Sequence, residues 1–281
     1  MEDIGTGQIP TWCPGCGDYV ILASLKEALI ELKLDLSNTV LVSGIGCGSK
    51  TPHFIKSYGF EGLHGRIMPV ATGIKLANHK LTVIGVGGDG DGYGIGGNHF
   101  IHTARRNLDI TYVLQNNEVY GLTKGQYSPT SPKGFISPTT PEGSIDEPVN
   151  PVTTAITAGA TFVARSHSMD INLTKEMIKQ AILHKGFSVV DVLQLCPTYN
   201  KMVTAQLFKD NLYKLGADYD PSKKVKAFEK GLEMKPMPIG VIYREEGKLT
   251  YEDQLPQIAE KPLVKHKIGE VDVSSIVNRY R

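Results

Sequence analysis

Gly88-Asp89-Gly90-Asp91-Gly92, then a helix-like segment, then an apolar run closing on Asn116-Asn117, is the stretch from which the rest of the chain is read. A glycine cluster directly after a strand lets the backbone approach a phosphate, because no side chain stands in the way. Asp89 adds a hard oxygen ligand, and Asn117 offers a second one βαβ unit later. Mg²⁺ accepts few protein oxygens and completes its octahedron with phosphate and water, so this pair suits Mg²⁺ beside a diphosphate. A glycine-rich loop alone is a weak signal. Here strand, helix, second strand and both polar ends occur together.

Upstream, Leu22, Leu25, Leu29 and Leu32 recur at helical spacing behind Asp18, which reads as an N-cap. Thr39 to Ser43 is a β-branched run and hence a buried strand, ending in Gly44-Ile45-Gly46-Cys47-Gly48-Ser49-Lys50. Pro52 to Gly65 reads as loop and contains His64-Gly65-Arg66. A helix over Met68–His79 precedes the strand Leu81–Val86 that feeds the glycine turn, and Ile95–Arg106 followed by Ile110–Gln115 completes the unit. His99 and His102, three apart on that helix, read as an ordinary helical face. Residues 120–150 are rich in Pro, Gly, Ser and Thr; a loop that long serves as a lid or a partner-binding surface. Helices at Pro151–Ala158 and Leu173–Lys185 alternate with strands at Thr161–Ala164 and Ser188–Leu195, and Cys196-Pro197 follows.

This alternation predicts an α/β fold, a mainly parallel sheet with helices on both faces. Ligands of such sheets sit beyond the carboxyl ends of the strands. Cys47, Asp89, Asn117 and Cys196 each follow a different predicted strand, so all four are expected along one sheet edge. Residues 1–200 form the predicted core domain. Residues 201–281, rich in Lys and Glu with one strand near Ile239–Tyr243, read as a C-terminal extension.

A formal net charge of +1 over 281 residues gives no electrostatic case for nucleic acid or a membrane surface. The apolar runs are strand-length, and Met1-Glu2-Asp3-Ile4 lacks the regions of a signal peptide, so a cytoplasmic protein is expected. The four cysteines are therefore read as metal or catalytic groups before disulfides. Cys13 and Cys16 form a CxxC that suits a zinc knuckle, a redox dithiol or half of an iron–sulfur site. With Cys47 and Cys196 the set reaches four thiolates, which geometry assigns equally to zinc or to a 4Fe–4S cluster.

The spacing of GDG, about 25 residues, then NN resembles the signature of thiamine diphosphate (ThDP) enzymes. That resemblance implies that Asp89, Asn117 and the backbone carbonyl of Val119 hold Mg²⁺. The whole assembly resembles the β subunit of a 2-oxoacid:ferredoxin oxidoreductase, the pyruvate and 2-oxoglutarate synthase group. It does so through Trp12-Cys13-Pro14-Gly15-Cys16-Gly17, Gly46-Cys47-Gly48, His64-Gly65-Arg66, Gly88-Asp89-Gly90-Asp91, Asn116-Asn117-Glu118-Val119-Tyr120-Gly121-Leu122-Thr123, Gly125-Gln126, Ser128-Pro129-Thr130 and Cys196-Pro197. The family implies the diphosphate-binding half of the ThDP fold, with Gly46, Cys47, Gly48, His64, Gly88–Asp91, Asn117, Val119, Gly121 and Leu122 around the cofactor. It implies one 4Fe–4S cluster on Cys13, Cys16, Cys47 and Cys196. It also implies coenzyme A-dependent oxidative decarboxylation of 2-oxoacids with electrons passed to ferredoxin. The glutamate that activates ThDP lies in a pyrimidine-binding domain that this sequence does not show. A larger α (or fused α/γ) subunit is therefore the expected partner. His64 is the expected cofactor or substrate contact. Lys124 stands where many family members carry glycine and could pair with the distal carboxylate of 2-oxoglutarate. Two rivals are a non-redox ThDP lyase with structural zinc and a non-catalytic subunit that binds ThDP for assembly.

Overall fold

The computed structural model describes residues 4–267, 269 and 272–281. Met1–Asp3, on which the signal-peptide reading partly rests, lie outside the described residues. Helix α1 spans Asp18–Glu31 and buries Ile21, Leu22, Leu25 and Leu29 along one stripe. Its N-cap is Gly17, not Asp18 as the sequence suggested. A Cβ at position 17 would lie 2.5 Å from Ser168 Oγ, so only glycine fits the cap, and Asp18 turns inward to the Cys16 sulfur.

Strand β1, Thr39–Ser43, is buried throughout. Strand β2, Tyr58–Glu61, falls inside the segment read as loop. It is an edge strand exposed along its length, so it carries no apolar run to betray it. Helix α2 (Ile67–Ala77), strand β3 (Thr82–Gly88), helix α3 (Gly97–Arg106) and strand β4 (Thr111–Asn116) follow. Between β3 and α3 the chain makes a wide π-helical turn over Gly90–Ile95. Residues beyond 150 add α4 (Pro151–Ala158), β5 (Phe162–His167), α5 (Ile171–Leu183) and β6 (Ser188–Leu193). The extension then contributes α6 (Ala205–Asn211), β7 (Leu212–Lys214), α7 (Lys224–Gly231), β8 (Met237–Arg244) and α8 (Ser274–Val277).

The sheet runs β2-β1-β3-β4-β6-β5-β8-β7. All neighbours from β2 to β5 are parallel, whereas β8 runs antiparallel to β5. Residues past 200 thus lengthen the core sheet by two strands. Strand residues alternate between two cores: Leu41, Ile84, Val113 and Val190 meet α1 and α5, while Val42, Tyr112, Leu114 and Val189 meet α2, α3 and α4. Both faces being covered explains why these strands read as continuous apolar runs rather than alternating ones. No helix among the described residues is long and apolar enough to cross a membrane.

Candidate active site

The ends of β1, β2, β3, β4 and β6 converge on one cavity of about 260 Å³. Gly46, Cys47 and Gly48 reach it from the loop after β1, and His64 from the loop after β2. Gly88, Asp89, Gly90 and Asp91 come from the turn after β3; Asn117, Val119, Gly121 and Leu122 come from the loop after β4. A Cβ on Gly46, whose φ is +147°, would meet no protein atom within 4 Å and so would stand in open space. A Cβ on Gly90 would lie 2.2 Å from the Tyr120 ring, whose hydroxyl donates to the Gly90 carbonyl at 3.1 Å. One glycine leaves the cavity open and the other lets its wall close.

Asp89 is 1% exposed. Its Oδ2 accepts hydrogen bonds from the hydroxyls of Ser128 and, at 2.6 Å, Thr130. Burial raises its pKa, and the two hydroxyls and nearby backbone amides oppose that rise. Asn117 Oδ1 accepts from the Val119 amide at 3.2 Å, and the Asn117 carbonyl accepts from Asn200 Nδ2 at 2.9 Å. Burial, then the Asp89 and Asp191 charges, push the neighbouring Glu118 carboxyl up to about 8, with Arg165 opposing.

Asp91 does a different task from Asp89. Its Oδ1 accepts from the Ile45 amide at 2.8 Å and the Gly65 amide at 2.8 Å, and stands 2.9 Å from His64 Nδ1. A carboxylate only accepts, so Nδ1 carries the imidazole proton and Nε2 is left as the ring's second polar atom. Asp91 thereby ties three loops together and orients His64 on the cavity wall.

Sequence reasoning missed Gln115 and Gln194. Both line the cavity and are 1% exposed. Gln115 Nε2 and Oε1 and Gln194 Oε1 have no hydrogen-bond partner. Buried polar groups are almost always bonded, so these amides point to a polar group that the protein itself does not supply. A diphosphate, whose oxygens accept, would meet the Gln115 Nε2 donor, while the two Oε1 atoms call for a donor such as water carried with the cofactor. The expected Mg²⁺ set has one carboxylate, one amide and one carbonyl, a small protein share that leaves room for diphosphate and water. Among the described residues no three His, Cys, Asp or Glu side chains converge to hold a metal unaided, and His99 and His102 stay on α3.

A second cavity, about 200 Å³, is lined by Cys13, Cys16, Cys47 and Cys196. A Cβ on Gly121 would sit 3.6 Å from the Cys196 sulfur and 3.7 Å from that of Cys47. Gln194 Nε2 lies 3.7 Å from the Cys16 sulfur. Burial, then Asp18, push the Cys47 thiol up to about 11; burial likewise raises Cys16 and Cys196. Thiols held protonated without a cation are what a soft metal centre would displace protons from on binding. The donor type suits such a centre, although as placed no three of these sulfurs converge on one ion. Lys50 also lines this cavity and donates to Thr11 Oγ1 at 3.3 Å. Lys124 is placed outside both cavities, on an exposed left-handed turn with φ +78°.

The C-terminal TPP-binding domain of thiamine pyrophosphate enzymes matches residues 44–192, and the C-terminal region of pyruvate ferredoxin oxidoreductase beta subunits matches residues 196–260. The 2-oxoacid:ferredoxin oxidoreductase 1 subunit beta of Aeropyrum pernix is 51% identical, the match covering 95% of this chain and 89% of that one. The chain belongs to the beta subunits of the 2-oxoacid:ferredoxin oxidoreductases. KorB, a 2-oxoglutarate oxidoreductase subunit of Mycobacterium tuberculosis, is 50% identical over 71% of this chain and 53% of its own. The solved 2-oxoglutarate:ferredoxin oxidoreductase of Magnetococcus marinus, described with 2-oxoglutarate, coenzyme A and succinyl-CoA bound, superposes with a TM-score of 0.91. That match has 39% identity and covers 99% of this chain and 95% of the other. This beta subunit is therefore part of an enzyme, with the ThDP-domain fold and an oxidoreductase role.

Proposed function

We propose that this beta subunit carries out coenzyme A-dependent oxidative decarboxylation of 2-oxoacids, 2-oxoglutarate and pyruvate, passing electrons through one 4Fe–4S cluster to ferredoxin. The observation that carries the reading is the adjacency of the two cavities, which share Cys47, Asn117, Gly121 and Leu122. When bound, ThDP supplies carbanion chemistry at the 2-oxoacid carbonyl and retains the electron pair released with CO₂. Asp89, Asn117 and the Val119 carbonyl would hold Mg²⁺ on its diphosphate. His64, fixed by Asp91, presents Nε2 as a proton donor or acceptor. The four thiolates would hold the cluster one glycine away.

A partner subunit completes the site in this reading, supplying the pyrimidine-binding domain and its catalytic glutamate. Ile45 and Leu122, on the cavity wall, are 40% and 49% exposed, as residues awaiting a covering surface would be. The test is reconstitution. The chain alone should reduce no ferredoxin, and the complex with its α subunit should do so when given 2-oxoglutarate and coenzyme A. Turnover by the isolated chain, or none by the complex, contradicts the proposal.

Gln115 offers a sharper check on the cofactor. Gln115→Met removes a buried amide that has no partner, so the ThDP-free chain should be as stable as before or more so. The same change removes a bond to the cofactor and should weaken ThDP binding about 5- to 10-fold. Thermal shifts with and without ThDP separate the two effects; a stability loss with unchanged ThDP affinity makes Gln115 structural.

Substrate choice turns on Lys124, whose exposed turn borders the cavity wall at Thr123. If its ammonium pairs with the distal carboxylate of 2-oxoglutarate, Lys124→Ala should lower kcat/KM for that acid by roughly 5- to 30-fold, a water-screened fraction of a desolvated pair. Pyruvate, which has no such carboxylate, should be little affected. Equal losses on both acids, or none, remove Lys124 from specificity.

A further inference from the structure

One buried ion pair is left unexplained by the chemistry above. Arg165 on β5 and Asp191 on β6 are directly opposite in register, with Nε 2.9 Å from Oδ2. They are 1% and 0% exposed, and Arg165 Nη1 has no partner. Apolar side chains of similar volume generally stabilise such a position as well or better, so stability does not account for the pair.

The other oxygen of Asp191 leads toward the active site. It accepts from Asn116 Nδ2 at 3.0 Å. Because a carboxylate takes only donors, this contact orients the Asn116 amide, nitrogen toward Asp191 and oxygen away. That oxygen lies 3.0 Å from Thr130 Oγ1, the hydroxyl that donates to Asp89 Oδ2. Thr130 has one proton and two acceptors. The nearer, charged Asp89 takes it, and the Asn116 oxygen stands as the alternative acceptor when a cation draws charge from Asp89. Both hydroxyls fall on Oδ2, and among the described residues no side chain donates to Oδ1.

We propose that Asn116, Thr130, Asp191 and Arg165 are positioning residues that hold Asp89 in the orientation that binds Mg²⁺, with the Arg165–Asp191 pair as their buried anchor. The proposal rests on the reading of Asp89 as the Mg²⁺ ligand of bound ThDP. The strand order makes the arrangement possible: β6 lies between β4 and β5, which sets Asp191 diagonally from Asn116 and opposite Arg165.

The experiment titrates Mg²⁺ into the assembled enzyme at fixed ThDP and measures bound ThDP by equilibrium dialysis. Thr130→Val should raise the apparent Kd for Mg²⁺ about 10- to 100-fold, the range seen when a group that orients a metal ligand is lost. Thr130→Ser, which keeps the hydroxyl, should behave as the unmodified enzyme. The double variant Arg165→Met/Asp191→Leu, which leaves no unpaired charge, should also lose Mg²⁺ affinity while its metal-free melting temperature changes little, the removal of the orphaned Arg165 Nη1 offsetting the stranded Asn116 Nδ2. Unchanged Mg²⁺ affinity in Thr130→Val overturns the proposal, and this comparison decides it even where the double variant fails to assemble. Should Asp89→Ala abolish Mg²⁺-dependent ThDP binding while Thr130→Val and the double variant retain it, positioning alone fails. Should Asp89→Ala itself leave that binding intact, the ligand reading fails with it.

Discussion

Asp89→Ala should yield a folded chain that no longer retains ThDP. Asp89 is the one carboxylate in the expected Mg²⁺ set, and without it the diphosphate charge is less neutralised. Losing a residue that merely orients a metal ligand costs about 10- to 100-fold in affinity, so losing the charged ligand should cost at least about 100-fold. The fold should survive, because Thr130 Oγ1 keeps Asn116 Oδ1 as an acceptor at 3.0 Å and Ser128 Oγ keeps the Thr130 and Ser131 hydroxyls, each at 3.3 Å. Even a hydroxyl left wholly unpaired would cost about 1–3 kcal/mol, within the ~5–15 kcal/mol by which domains are stable. The check is ThDP content after purification beside a melting curve. Full ThDP occupancy in this variant removes Asp89 from the metal site.

The second large effect is on iron. Replacing any one of Cys13, Cys16, Cys47 or Cys196 by Ser puts a hard hydroxyl where a soft thiolate is needed. Iron content should fall sharply and ferredoxin reduction should be lost. Cys47 and Cys196 should be the most damaging, since their sulfurs flank Gly121 between the two cavities. Cys13 is exposed, so air should also inactivate the assembled enzyme. A single variant with normal iron and normal turnover is not missing a ligand.

The parts of this site that were legible in the sequence are those that local chemistry dictates. Glycines beside Asp89, the paired Asn116 and Asn117, and cysteines placed just past strands signal their position wherever the fold puts them. The parallel sheet was legible for a similar reason, since β1, β3, β4 and β6 are buried on both faces and read as largely apolar runs, interrupted in β6 by Asp191. Other features depend on neighbours that the sequence keeps apart. Gln115 closes a strand and looks like the polar end of an apolar run; only the fold brings it against Gly48, where a Cβ would lie 1.3 Å from its Oε1. Asp91 belongs by sequence to the glycine motif, yet its contacts run to Ile45, His64 and Gly65 from two other loops. Arg165 and Asp191 meet because β5 and β6 pair in register. Strand β2 was hidden because an exposed edge strand needs no apolar signature.

The central claim is that one chain sets a redox cluster against a ThDP site, and an anaerobic visible spectrum of the purified protein tests it most directly. A broad brown absorbance that bleaches with dithionite and is absent from the four Cys→Ser variants is the predicted result. A colourless protein that carries zinc on its cysteines, or an absorbance unchanged by dithionite, contradicts it.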